Sequence, residues 1–255
     1  MNDYISLVKK LIPSVIKAGD QIMKIYYNKT EVEFKIDGSP VTKADRMAEK
    51  IILKSIKYHT PKILIVSEEN LESHKTKPKK LFFLVDPLDG TKEFLKNDGK
   101  GSFTVNVALI KNGEPILGIV NAPALGRLFY GIVGYGAFEI NNKITQSIEI
   151  RKASQDNLVA VASSSHRDKK TDDWLKSNKI SKTISIGSSL KFCLLASGEA
   201  DVYPRFGPTM EWDTAAGDAV LRSAGGKVHN IDGTNFSYGK NNYKNGAFIA
   251  KGDYY

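Results

Sequence analysis

Residues 81–94 read LFFLVDPLDGTKEF. The run LFFLVD has the make-up of a short strand, and it ends in two acids, a proline and a glycine packed into Asp86–Gly90. Pro87 blocks a sheet ladder and suits the first turn of a helix, which predicts that the strand stops at Asp86 with that residue at or near a helix N-cap. A capped turn accounts for Asp86 and Pro87 but not for Asp89, Gly90 and Thr91, which follow at once. Carboxylates crowded in this way repel one another and cost stability unless something positive sits between them. With Asp89 on the same tight turn, two carboxylates converge on one point. Gly90 lets the backbone approach closely, Thr91 adds a hydroxyl, and free N–H groups at a helix start meet an anion. Acids for a cation beside donors for an anion describe a site for a metal-bound phosphate.

Outward from this corner, residues 3–28 and 42–59 carry apolar positions at three- and four-residue spacing and predict helices, the second capped by Thr42 or Asp45. KILIVSEE (62–69) predicts a strand ending in Glu68 and Glu69, of which alternation turns only one toward a cleft. Asn112-Gly113 sits between two β-runs and is a strong hairpin signal. After about residue 150 the pattern becomes strands alternating with helices, which suggests an α/β layer. The expected division is therefore 1–150, an α+β half with most of the acids, and 151–255, an α/β half with Asp213, the two packed together around a cleft. Asp213, in MEWDTAAGDAV, precedes a small-residue helix and reads as its N-cap.

As a set, Glu68, Asp86, Asp89 and Asp213 offer hard oxygen donors with no histidine or cysteine cluster beside them, which favours Mg²⁺ or Mn²⁺ over zinc. The chemistry has a scale. Phosphate-monoester hydrolysis requires acceleration of up to ~10²¹, whereas one general acid or base supplies about 10²–10⁴. Metals that make hydroxide and neutralise charge, roughly 4 Å apart, close that gap.

The 255 residues suffice for one large domain or two packed halves, and the formal charge of +9 favours anionic ligands. The lysines are scattered, and their one short cluster, HKTKPKK (74–80), lacks interleaved aromatics, so a nucleic-acid polymer is not expected. No apolar run approaches the ~18 residues of a membrane span. The N-terminal stretch, with acid near its start and lysine inside, reads as an amphipathic helix and not as a signal peptide. Cys193 is the single cysteine, excludes an intrachain disulfide and sits in an apolar helical stretch as a packing residue. The expected location is the cytoplasm, and the basic surface leaves room for peripheral attachment to the inner face of a membrane. Monomer and homodimer are both open.

VSEE (66–69), DPLDGTKEF (86–94) and WDTAAGDAV (212–220) resemble the signature segments of the inositol monophosphatase superfamily. With SIGSSLKFC (185–193) and YPRFGP (203–208), the similarity is closest to its 3′(2′),5′-bisphosphate nucleotidases of the bacterial CysQ type, and it runs from SPVTKAD (39–45) to the last glycine-rich strands. The resemblance implies a layered αβαβα sandwich of the inositol monophosphatase and sugar phosphatase type, an α/β (α+β) fold. It implies one Mg²⁺ on Glu68, Asp86 and the Leu88 carbonyl, a second on Asp86, Asp89 and Asp213, and a weaker third near Glu68, with Li⁺ as an inhibitor. Thr91, tied to Asp45, would orient and deprotonate the attacking water together with Glu68, and Gly90 and Thr91 would also bind the substrate. Ser188, Lys191 and Arg205 would contact the nucleotide and its uncut phosphate, with His166 beside the base or ribose. The implied reaction removes the 3′-phosphate of adenosine 3′,5′-bisphosphate, a by-product of sulfate assimilation. The same chemistry on inositol monophosphate or fructose 1,6-bisphosphate is the near alternative, and a non-catalytic anion-binding module is the remote one.

Overall fold

A computed structural model of the chain describes residues 2–28, 32–34, 40–96, 99, 101–163 and 167–254. Two long helices open it, α1 (Asn2–Tyr26) and α2 (Lys43–His59), and three shorter ones follow, α3 (Leu71–His74), α4 (Thr91–Lys96) and α5 (Lys169–Ser177). Helix α2 begins where the sequence places it. Thr42 is the N-cap, its side chain accepting the Ala44 N–H at 3.0 Å, and Asp45 returns the bond by accepting the Thr42 N–H at 2.7 Å. This reciprocal capping satisfies donors that a helix start otherwise leaves unpaired.

Both long helices lie on one face of a seven-stranded sheet whose order is that of the sequence, from Leu64–Ser67 and Leu81–Asp89 through Thr104–Lys111 and Glu114–Ala122 to Ile144–Ile148. The first pair is parallel and the rest are antiparallel. Val8, Leu11, Val15, Ala18 and Ile22, spaced three and four apart on α1, meet Phe83, Val85, Val107 and Ile119 of the sheet. Phe82, Leu84, Ala108 and Val120 point the other way, into a second core with α6 (Leu190–Ala196) and α7 (Glu211–Ser223). A five-stranded sheet follows, ordered Lys182–Ile186, Val159–Ser163, Val202–Arg205, Phe248–Lys251, Lys227–Asn230. Its far side packs Leu158, Ala160 and Val202 on Leu175 of α5 (Lys169–Ser177). The layers thus read α, β, α, β, α. The hairpin at Asn112-Gly113 forms with φ of 53° and 82°, the pair of positive values that a two-residue hairpin turn takes.

Helix α7 matters most for the site, because it carries Asp213 between the two sheets. Its small residues, Ala215, Ala216 and Ala219, allow a close approach to the strand Glu114–Ala122. At Gly118 an added Cβ would stand 2.2 Å from the Ala216 carbonyl oxygen, a backbone atom that cannot move alone. Gly118→Ala is therefore expected to push α7 off the sheet at a cost of about 2 kcal/mol, some 5 °C in melting temperature. A thermal melt indistinguishable from wild type would show that this approach is not tight.

Candidate active site

The acid corner is built on a bulge. Asp86 pairs with Asn106 and Asp89 with Thr104, so three steps on one strand oppose two on its neighbour. The strand therefore does not stop at Asp86, and Asp86 is not a helix N-cap. Pro87 is tolerated because the bulge withdraws it from the ladder, where its missing N–H would have counted. Asp86 instead accepts the Leu88 N–H on Oδ1 at 3.0 Å. Gly90 then turns with φ of 90°, where a side chain would also crowd the Ser102 carbonyl, and α4 (Thr91–Lys96) begins.

Glu68 reaches the same corner from the neighbouring strand. Leu64–Ser67 runs parallel to Leu81–Asp89, so both end at one edge, and the Glu68 N–H still bonds the Val85 carbonyl at 3.1 Å. Asp213 arrives from α7, where it is the third helical residue and not the N-cap; its Oδ2 accepts the Met210 N–H at 2.8 Å. One oxygen from each of Glu68, Asp86 and Asp213 lies within 4.8 Å of the others. Asp86 is buried, and its carboxyl is held well above the usual range first by burial and then by the charges of Glu68, Asp89 and Asp213. Asp213 is raised for the same reasons, with Asp89 the foremost charge. Mutual repulsion of hard oxygen donors fits a divalent cation held among them.

Asp89, expected in the same set, is not one of the three acids whose oxygens converge within 4.8 Å; it lies beside them, its charge felt by both Asp86 and Asp213. Its Oδ2 accepts the backbone N–H of Ser189 at 2.7 Å and Asn106 Nδ2 at 3.4 Å. Burial pushes its carboxyl up to about 6, against the pull of Lys191. Since the unfolded value is near 4, the folded chain holds the extra proton between pH 4 and 6. The stability this group lends is complete below about pH 4 and is lost as pH rises through about 6. Two pK units correspond to ~3 kcal/mol, which the cleft-facing side of Asp89 trims to about 1–2 kcal/mol. Urea unfolding of metal-free protein should show wild type falling behind Asp89→Asn by that amount from pH 4 to pH 7. A gap that does not change with pH would rule out Asp89 as its source.

Thr91 and Asp45 meet beside the corner. Thr91 Oγ1 donates to the Leu88 carbonyl at 3.2 Å and lies 3.5 Å from Asp45 Oδ1, the outer limit of a hydrogen bond. Asp45 is buried, which raises its carboxyl, while its bonds from Thr42 oppose the rise.

A cleft opens over these groups, lined by Glu68, Asp89, Gly90, Thr91 and Asp213 together with Ser188, Lys191, Tyr203 and Arg205. Lys191 is not the solvated lysine that an isolated helix would suggest. It is 5% exposed, bonds the Ser188 carbonyl through Nζ at 2.5 Å and stands 5.3 Å from the Tyr203 ring centre. Burial pushes its ammonium down to about 8, with Asp89 opposing and Arg205 reinforcing the shift. Arg205 is also buried, its Nε and Nη2 donating to the carbonyls of Gly207 and Pro208 at 3.2 and 3.1 Å. Ser188 adopts φ of 50°, and its hydroxyl is buried without a hydrogen-bond partner among the described residues. His166 lies outside the described residues. Cys193 is buried and its thiol is pushed up by burial, as packing requires.

Sequence reasoning passed over Thr104, Asn106, Ser189 and Glu93, all buried at or beside this cleft. A signal was present: Thr104 and Asn106 are polar positions two apart in TVNVALI, an otherwise apolar strand, and buried polar groups require partners.

The model of the inositol monophosphatase family matches residues 5–252. The 3′(2′),5′-bisphosphate nucleotidase CysQ of Salmonella typhimurium is 44% identical over 224 residues, 87% of this chain and 89% of that protein. Among solved structures, CysQ from Bacteroides thetaiotaomicron, a bacterial member of the inositol monophosphatase family, has a TM-score of 0.84 at 35% identity over 97% of each chain. The IMPase of Thermotoga maritima has a TM-score of 0.80 at 26% identity, over 96% of this chain and 92% of that one.

Proposed function

The chain belongs to the inositol monophosphatase family, and from that premise we propose that it is a Mg²⁺-dependent phosphatase that removes the 3′-phosphate of adenosine 3′,5′-bisphosphate to give AMP and phosphate. One observation carries the choice of substrate. A single cleft is lined both by the carboxylates of Glu68, Asp89 and Asp213, with Asp86 buried behind them, and by two buried cations, Lys191 and Arg205. That arrangement suits a ligand with one phosphate to be cut at a metal and another to be held by charge. It agrees with relatives that are named nucleotidases.

In this reading Glu68, Asp86 and the Leu88 carbonyl would hold one Mg²⁺, Asp86, Asp89 and Asp213 a second, and the neighbourhood of Glu68 a weaker third. When bound, such ions supply hydroxide at neutral pH and offset charge on the phosphate. The chain's own part is orientation and proton movement. Thr91, fixed between the Leu88 carbonyl and Asp45, orients the attacking water, and Glu68 and the Thr91–Asp45 pair take its proton. Gly90, with no side chain, leaves the backbone open to the phosphate. Lys191, Arg205 and the Ser188 hydroxyl grip the uncut phosphate, and His166 is assigned to the base or ribose. The first half of the chain, 1–150, supplies most metal ligands, and 151–255 supplies the substrate grip with Asp213. Among the described residues no helix is long and apolar enough to cross a membrane.

Phosphate release from adenosine 3′,5′-bisphosphate, inositol monophosphate and fructose 1,6-bisphosphate tests the reading. The bisphosphate nucleotide should be used best, activity should require Mg²⁺, and Li⁺ should inhibit by competing at a Mg²⁺ position. Equal or better turnover of inositol monophosphate would overturn the nucleotidase assignment.

A further inference from the structure

Three buried polar side chains stand between the acid corner and the substrate grip, and the reaction as described uses none of them. Thr104 and Asn106 are two apart on one strand and so share a face; Ser189 follows Ser188 with its left-handed backbone. Their exposures are 0%, 1% and 1%. An unpaired polar group at such depth costs about 1–3 kcal/mol, which constrains how the three are paired. Asn106 Nδ2 donates to Asp89 Oδ2 at 3.4 Å, so its Oδ1 is the acceptor, and Ser189 Oγ donates to it at 2.6 Å. The Ser189 hydroxyl has one proton and has spent it there, so Thr104 Oγ1 is the donor in its 2.9 Å contact with Ser189 Oγ. The relay has one direction, from Thr104 through Ser189 and Asn106 to Asp89. The Ser189 backbone N–H reaches the same carboxylate oxygen at 2.7 Å.

We propose that Ser189 and Asn106 are positioning residues that occupy Oδ2 of Asp89, leave only Oδ1 uncommitted and available to a metal, and so tie metal affinity to the loop 187–191 that holds the substrate. The proposal rests on the metal-dependent reading above. Ser189 is the joint in it. Its N–H and its hydroxyl serve Asp89, while the adjacent Ser188 carbonyl holds Lys191 Nζ. Groups that orient a ligand from behind the metal shell typically change metal affinity 10–100-fold when removed.

Mn²⁺ titration of the metal-free full-length protein, with free Mn²⁺ read by electron paramagnetic resonance, tests this without turnover. Ser189→Ala keeps the backbone N–H but breaks the relay, and should weaken Mn²⁺ binding about tenfold. Ser189→Thr keeps the hydroxyl and should bind within about threefold of wild type. Thr104→Val removes a hydroxyl that bonds Ser189 and not the Asp89 carboxylate, and should weaken binding about threefold; it decides the matter if Ser189→Ala does not fold. Wild-type affinity in Ser189→Ala or, failing that, in Thr104→Val overturns the positioning role alone. So does a loss in Ser189→Ala that threonine fails to restore. A wild-type protein that takes up no Mn²⁺ overturns the metal-dependent reading and this proposal with it.

Discussion

Asp86→Asn should lower turnover by roughly 10³-fold and, in the metal-free protein, raise the melting temperature. The two effects have one cause. Asp86 is 1% exposed, and after burial itself the largest influences on its carboxyl are the acids Glu68, Asp89 and Asp213. Without a cation its charge is a net cost to the fold. Asparagine keeps the shape and can still accept the Leu88 N–H, a bond that Asp86 makes at 3.0 Å. It removes the repulsion, worth about 1–2 kcal/mol and so a few degrees in melting temperature. The same change removes a negative ligand shared by two proposed metals, and ~4 kcal/mol of lost charge stabilisation is about 10³ in rate. Asp218 provides the contrast. It is equally deep, but it pairs with Arg222 at 2.7 Å and accepts the Tyr238 hydroxyl at 2.9 Å. Asp218→Asn should therefore lower the melting temperature, because it strands a cation. If Asp86→Asn melts lower than wild type and keeps its turnover, the corner is a structural polar cluster and not a cation site.

That corner also marks where local sequence rules stop. The hairpin at Asn112-Gly113 and the cap at Thr42 were legible because each rests on chemistry within a few residues. The path of the chain at Pro87 was not. Proline usually ends a strand because it cannot donate to the ladder, but a bulge removes the demand for that donor, and whether a bulge forms is decided by the neighbouring strand through Asn106 and Thr104. The layer order has the same origin. LFFLV shows no alternation because helices cover both sides of its sheet, and periodicity cannot say which helices those are.

Within the site, the acids were readable one segment at a time, and their convergence followed from parallel strand ends and from α7 lying between the sheets. Lys191 entered the site through the family resemblance and not through the pattern of its own segment. One charge in LKFCLLA looks like the wet side of a helix, but α6 is enclosed on all sides and every residue from Leu190 to Ala196 is buried. Ser188 was likewise named only through the resemblance, and its segment gave no sign of its backbone, because a left-handed conformation is ordinarily assigned to glycine and here falls on serine, beside Gly187. The turn is imposed from outside, by Ser189 bonded to Asp89 and by Lys191 bonded back to the Ser188 carbonyl.

Arg205→Ala should raise KM for adenosine 3′,5′-bisphosphate about 50-fold while changing the use of a plain nucleoside monophosphate by less than about threefold. The guanidinium is oriented before any ligand arrives, because Nε and Nη2 are anchored on the carbonyls of Gly207 and Pro208. Its remaining donors are presented to the cleft at little entropic cost, and such charge-assisted bonds contribute about 1.5–3 kcal/mol. A ligand with no second phosphate cannot use them, so the loss falls on one substrate only. Arg205→Lys should recover only part of the affinity, since an ammonium does not reproduce the planar fork. Lys191 sets a further condition. Its ammonium titrates near 8 with Arg205 among the groups holding it down, so in Arg205→Ala it is the remaining cation and is protonated through neutral pH. The residual preference of that variant for the bisphosphate should fade once pH passes well above 8. Equal damage to both substrates would remove Arg205 from the grip on the second phosphate and leave it a structural role in the loop 205–208.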